Sequence, residues 1–172
     1  MKRALICAII LFASALGVTL FGQDGNTYPT AERLFHISRS ANRNLVCYDV
    51  NINGGKIDKG EPLKVYWVNR EKNPGETNGL SYIQRKMAYG YKLISSDGDS
   101  YVCSLTAYPS RQLTISKRGD CYVCYITISG EKAILKSLYV KAKPKNPLSV
   151  EYVELRGTRL SDGKMVTERV NR

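Results

Sequence analysis

Residues 35–51 read FHISRSANRNLVCYDVN, and the fold turns on whether this stretch is a reactive site or two strands joined by a polar corner. It carries the chain's only histidine, His36, with Arg39, Arg43 and three asparagines. Its apolar residues alternate with polar ones, the period of a half-buried strand. Ser40 to Arg43 (SANR) interrupt that pattern with side chains that suit a turn. The two-strand reading, LFHISR then NLVCYDVNI, leaves the arginines as candidate binding groups and asks no special chemistry of His36.

Working outward, the second strand runs into Asn53, Gly54 and Gly55, which tolerate the positive φ of a tight reversal, and LKVYWVN at 63–69 is the next strand. Seven further runs follow: YKLISS, SYVCSLTAY, RQLTISK, DCYVCYITIS, KAILKSLYVKAK, LSVEYVELRGTRL and KMVTERV. Short links such as SSDGD, YPSR, KRGD, SGE, PKNP and SDG join them, so sequential neighbours should pair antiparallel. The expected fold is all-β, mainly an antiparallel meander of about ten strands that must close into a small barrel or a sandwich.

One segment breaks the period of two. Leu80, Ile83 and Met87 are spaced i, i+3, i+7, Thr77 or Asn78 can cap the start and Gly90 can end it. This predicts one short helix capping an end of the sheet, with Gln84, Arg85 and Lys86 on its polar side.

Ahead of the strands, Lys2 and Arg3 precede an uncharged apolar run from Ala4 to Phe21, and the chain turns polar at Gln23 and Asp24. That is the layout of a cleaved secretory signal peptide over 1–23. A membrane anchor is the alternative, because about 18 apolar residues lie at the lower limit for a span. Residues 24–33 read as a loose leader and 34–172 as a single β-rich domain, placed in the periplasm or secreted. Removing Lys2 and Arg3 leaves 24 basic against 15 acidic residues, a formal charge of +9. Such an excess favours anionic partners, phosphate-bearing lipids or acidic glycans, and export makes nucleic acid the least fitting of them. Basic residues spread along the chain are equally consistent with a plain solubilising surface.

Four cysteines follow the signal segment: Cys47, Cys103, Cys121 and Cys124. CYVC at 121–124 matches a redox CxxC by pattern only, since it lies in a strand-like run and not at a helix N-terminus. Residues three apart on a strand have Cα atoms roughly 10 Å apart, beyond disulfide reach. A turn at Arg118 and Gly119 would pair Ile115 with Tyr122 and Leu113 with Cys124. Leu105, Leu113, Ile115, Cys103, Cys124 and Ile126 then share one buried face. The cysteines are therefore expected as thiols acting as small hydrophobes, with a bridge to Cys47 left open. His36 alone cannot make a zinc site with cysteines that alternate faces. Asp97, Asp99, Asp120 and Asp162 all fall in turns, and no glycine-rich phosphate loop, nucleophile elbow or metal-ligand cluster is present.

The segments RSANRN, VYWVN and RKMAYGY, with LYVKAKPKNPLSVEYVELRGT, resemble a family of exported proteins common in Bacteroidetes, catalogued as domain of unknown function 4833. The resemblance covers nearly the whole chain after the signal segment. It implies a secreted or periplasmic single domain and no particular activity.

If the helix caps the end onto which the first corner opens, Arg39, Asn42, Asn44, Trp67, Asn69, Arg85 and Tyr89 converge there. Guanidinium groups suit anions, and aromatic rings suit sugar or apolar faces. The expectation is a non-enzymatic binding or interaction module for an anionic small molecule, glycan or envelope component, with no cofactor and no metal. The alternative is a hydrolase or transferase of envelope material using carboxylates or His36. The same residues could instead tie helix to sheet. Arg39 shares its parity with Phe35 and Ile37 and so points inward, whereas Arg85 lies on the helix's polar side.

Overall fold

A 13-residue strand with partners on both edges organises the domain. In the computed structural model, which describes residues 32–172, the long strands are β1 (Arg33–Arg39), β2 (Asn42–Val50), β5 (Leu63–Val68), β7 (Tyr91–Asp97), β8 (Ser100–Leu105), β9 (Tyr108–Arg118), β10 (Cys121–Ile128), β11 (Glu131–Lys143), β12 (Asn146–Arg159) and β13 (Met165–Asn171). The expected signal peptide, and the expected leader up to residue 31, lie outside the described residues.

One edge of β11 pairs with β12, which in turn pairs with β13. Its other edge is shared. Glu131 to Ile134 pair with β10, and Ser137 to Val140 pair with His36 to Arg39 of β1. A register shift between Leu135 and Ser137 falls between the two partners. Two arms therefore leave the same edge, β1-β2-β5 and β10-β9-β8-β7, and curl toward each other into a half-barrel. All-β architecture and antiparallel pairing of sequential strands are as expected. The β1–β11 pair is parallel; it joins segments about a hundred residues apart, so no turn signal announces it.

The arms pack face to face. Phe35 stacks on Tyr48 with ring centroids 4.4 Å apart, and Val46, Leu63, Leu113, Ile115, Ile128, Leu135 and Leu155 are all buried with them. Burying each such side chain stabilises the fold by about 1.5–3 kcal/mol. A polar link crosses the gap, the Tyr91 hydroxyl lying 3.3 Å from both the amide and the carbonyl of Leu63, and Tyr48 donates at 2.7 Å to the carbonyl of Tyr89, between the arms in sequence.

Smaller elements refine the turns. Gly54 and Gly55, both at positive φ, reverse the chain between β3 (Ile52–Asn53) and β4 (Lys56–Ile57), a separate two-stranded ladder ahead of β5. The expected YPSR turn is instead the start of β9. The reversal lies at Thr106 and Ala107, where the Thr106 amide donates to the Gly90 carbonyl at 2.8 Å.

The β9–β10 turn is Gly119 and Asp120, one residue later than expected, so Cys124 faces Ile115; in the separate β8–β9 pair Cys103 faces Leu113. The slip is two residues in register, which preserves parity. Leu105, Leu113, Ile115, Cys103, Cys124 and Ile126 accordingly share the buried face. The four described cysteines are all thiols, and only Cys121 is exposed. Burial pushes the Cys103 thiol up to about 12 and Cys47 up to about 11. Brief iodoacetamide treatment of the folded protein should therefore label Cys121 and spare Cys47, Cys103 and Cys124, because the thiolate is the reactive form. Peptide mass spectrometry showing equal labelling of all four would contradict this packing.

The outer face of β2 carries a second, smaller apolar cluster of Leu45, Cys47 and Val68 with Tyr66 against it. Beside it Asp49, buried, accepts from the Arg33 Nε and the Tyr66 hydroxyl, and Arg33 also donates to Tyr66 at 3.0 Å.

After β5 comes a short strand β6 (Thr77–Gly79), then a single helical element: α1 (Tyr82–Gln84) continued by a π-helical turn (Arg85–Tyr89). Ser81 caps it, in place of Thr77 or Asn78, through a capping box closed with Gln84. The π turn changes which residues face inward. Leu80 and Tyr89 are buried, whereas Ile83 and Met87, expected on the inner stripe, are exposed.

Candidate functional site

The helical turn covers the open end of the curl, next to the corner between β1 and β2. Tyr89 is the joint. Its ring meets Trp67 edge to face at 5.1 Å, its hydroxyl accepts from Arg39 at 2.8 Å, and its carbonyl accepts from Tyr48. Burial holds the Tyr48 hydroxyl well above its ordinary pKa, so it stays a neutral donor. The Trp67 indole donates to Gln84 at 3.3 Å, which fixes the start of the helix against β5.

Beneath this joint lies a cavity of about 380 Å³. Ile37 and Arg39 of β1, with Leu138 and Val140 of β11, form one wall. Val150 and Val153 of β12 continue it, and Leu105, Ala107 and Tyr108 face them from the other arm. Met87, Ala88 and Tyr89 form the lid, and Arg172 closes the side, its guanidinium 4.7 Å over the Tyr108 ring. Ala88, Ala107 and the three valines contribute the shorter side chains of this lining, beside Ile37, Leu105 and Leu138.

Arg39 borders a second, polar hollow on the outside of the corner, lined by Ser38, Ser40, Asn42, Arg43, Arg70 and Glu71. The Asn42 Oδ1 there is buried and, among the described residues, makes no hydrogen bond. Arg39 therefore stands between an apolar chamber and a basic, polar one.

The residues expected to converge divide into two groups. Arg39, Trp67 and Tyr89 meet, with Asn42 on the far side of Arg39. Asn44 instead accepts from the Arg70 amide at 3.0 Å, and Asn69 is engaged with Glu76 in the following loop. Arg85 pairs with Glu61 at 3.4 Å and is not part of the cavity wall. Tyr108, Arg172 and the valines of β11 and β12 were not anticipated. No local pattern in the sequence singles them out, because they come from separate parts of the chain.

His36 faces away, into a shallow hollow of about 120 Å³ with Ser38, Arg70 and Arg156. Cys47 is its register partner across β1 and β2, but that thiol is buried with a raised pKa, the reverse of what a nucleophilic cysteine needs. Among the described residues no group of three His, Cys, Asp or Glu could hold a metal, and no helix is long and apolar enough to cross a membrane.

No curated protein and no solved structure matches this chain. Residues 35–169 match a protein family described as Domain of unknown function (DUF4833). That span runs from within β1 to within β13 and includes the helical lid, so the chain belongs to the DUF4833 family.

Proposed function

We propose that this is an exported, non-enzymatic binding module whose rim cavity holds a ligand with an apolar body and one anionic group, the anion resting against Arg39. The observation that carries the reading is the cavity itself, about 380 Å³ with apolar walls and with Arg39 and Arg172 as its charged groups. That volume is within the range of small-molecule sites, about 300–1,000 Å³. Such walls favour hydrocarbon removed from water and offer few partners to the hydroxyls of a sugar ring beyond the two arginines and the tyrosines, which favours an amphiphilic anion over a glycan. A guanidinium supplies a strong, charge-assisted hydrogen bond to a carboxylate or phosphate. None of the described side chains lining the cavity carries a carboxylate, an imidazole or a thiol, and this favours binding over hydrolysis.

Calorimetric titration with decanoate, decyl phosphate and neutral decanol tests the reading. The two anions are expected to bind about tenfold more tightly than the alcohol. Arg39→Gln should remove that preference, Val140→Trp should fill the cavity and abolish binding of all three, and Arg85→Ala should leave binding unchanged. Thermal melting checks that each variant is folded. Absence of binding by every probe, or unchanged binding in Val140→Trp, overturns the reading.

A further inference from the structure

We propose that the helical turn over the cavity is a docking face for an anionic bilayer surface. Tyr82, Ile83 and Met87 are 69%, 70% and 73% exposed, more than any other large apolar side chain among the described residues. A surface helix ordinarily buries its apolar stripe. Here the π turn, closed by the Gly90 amide on the Arg85 carbonyl at 3.1 Å, turns Ala88 and Tyr89 inward and leaves Ile83 and Met87 largely exposed. Met87 is both exposed and part of the cavity lid, so the apolar face and the mouth of the cavity are continuous.

Charge selects the occupant. From Thr77 to Ser96 the chain carries Arg85, Lys86 and Lys92 and no acidic residue. The acidic group that meets this element is Glu61, paired with Arg85 at 3.4 Å. Lys86 lies 5.1 Å from the Tyr82 ring centroid, at the edge of the apolar face. Apolar tips and a tyrosine flanked by cations match the boundary of a bilayer. There the tips enter the acyl region, the ring sits at headgroup level, and lysine and arginine meet anionic phosphates. The formal charge of the whole chain, +11, has the same sign as the patch. This goes beyond the ligand reading and stands without it. Where both hold, an amphiphile passes between bilayer and cavity beside Met87 without crossing bulk water.

The test is co-sedimentation of the purified protein with vesicles of phosphatidylcholine alone and of phosphatidylcholine mixed with phosphatidylglycerol, with no other ligand present. The protein is expected to bind the mixed vesicles, to bind neutral ones less, and to be released by added salt. The double variant Ile83→Asp, Met87→Asp alters two exposed side chains and should retain its melting temperature while binding about tenfold more weakly. Lys86→Glu should also weaken binding. Failure to bind the mixed vesicles, or equal binding by the double variant, overturns the proposal. So does a fall in sedimentation coefficient of the double variant without vesicles, which would assign the face to a second copy of the chain.

Discussion

Replacing Gly90 with alanine is expected to destabilise the domain by about 3 kcal/mol or more. The backbone there is ordinary, with φ near −67°, so the conformation itself suits any residue. What the site excludes is a side chain: a Cβ on Gly90 would lie 2.1 Å from the Arg85 carbonyl oxygen and 2.9 Å from its carbon. Neither partner can easily yield. The Arg85 oxygen accepts the Gly90 amide, and the Gly90 oxygen accepts the Thr106 amide, tying the lid to the β8–β9 turn. Displacing Gly90 also displaces Tyr89, on which Tyr48, Trp67 and Arg39 converge. The sole tryptophan, Trp67, reports the change directly, because its ring packs on Tyr89. Gly79→Ala is the control, since nothing lies within 4 Å of its Cβ position; it should change stability by about 0.5 kcal/mol or less. Urea unfolding that gave the two substitutions equal effects would contradict the lid geometry.

A second large effect is expected on the outer face. Asp49→Ala should cost about 3–5 kcal/mol, because it leaves the Arg33 guanidinium buried without its carboxylate. The side chains of Arg33 and Asp49 are 9% and 6% exposed, so water cannot readily replace the lost partner. Tyr66 adds a third member: burial pushes its hydroxyl up to about 12, and it remains a neutral donor to Asp49. Replacing both charges, as Arg33→Met with Asp49→Leu, should recover most of the loss, since an apolar pair of similar size suffers no desolvation penalty. A double-mutant cycle by chemical denaturation checks this. Additive losses from the two substitutions would show that the residues do not act as a pair.

The long strands were legible because alternation reports directly which face of its own strand a residue occupies. Parity survives a displaced turn: the β9–β10 turn lies one residue later than expected, the register moves by two, and Cys124 stays on the buried face with Ile115 and Leu113. Alternation does not say which strand lies beside which when no turn connects them. The parallel pairing of His36–Arg39 with Ser137–Val140 was therefore hidden, and with it the juxtaposition of Arg39 and Val140. The helix failed differently. Leu80, Ile83 and Met87 form a stripe only at α-helical period, and the π turn rotates Tyr89 inward in place of Met87. Arg39, Trp67 and Tyr89 were foreseen as neighbours because they flank strand and helix ends at one end of the domain. The chamber beneath them depends on side-chain volumes contributed by five separate strands, which no local pattern encodes.

On the proposed function, the chamber under Tyr89 receives the apolar part of an anionic amphiphile. Methyl-selective NMR of the protein with decyl phosphate tests that placement atom by atom. Intermolecular nuclear Overhauser effects are expected from the alkyl chain to the methyl groups of Ile37, Leu138, Val140 and Val153, with a shift of the Arg39 Nε–H on binding. Contacts confined to surface methyls such as those of Ile94 and Leu160, or none at all under conditions of saturation, would contradict it.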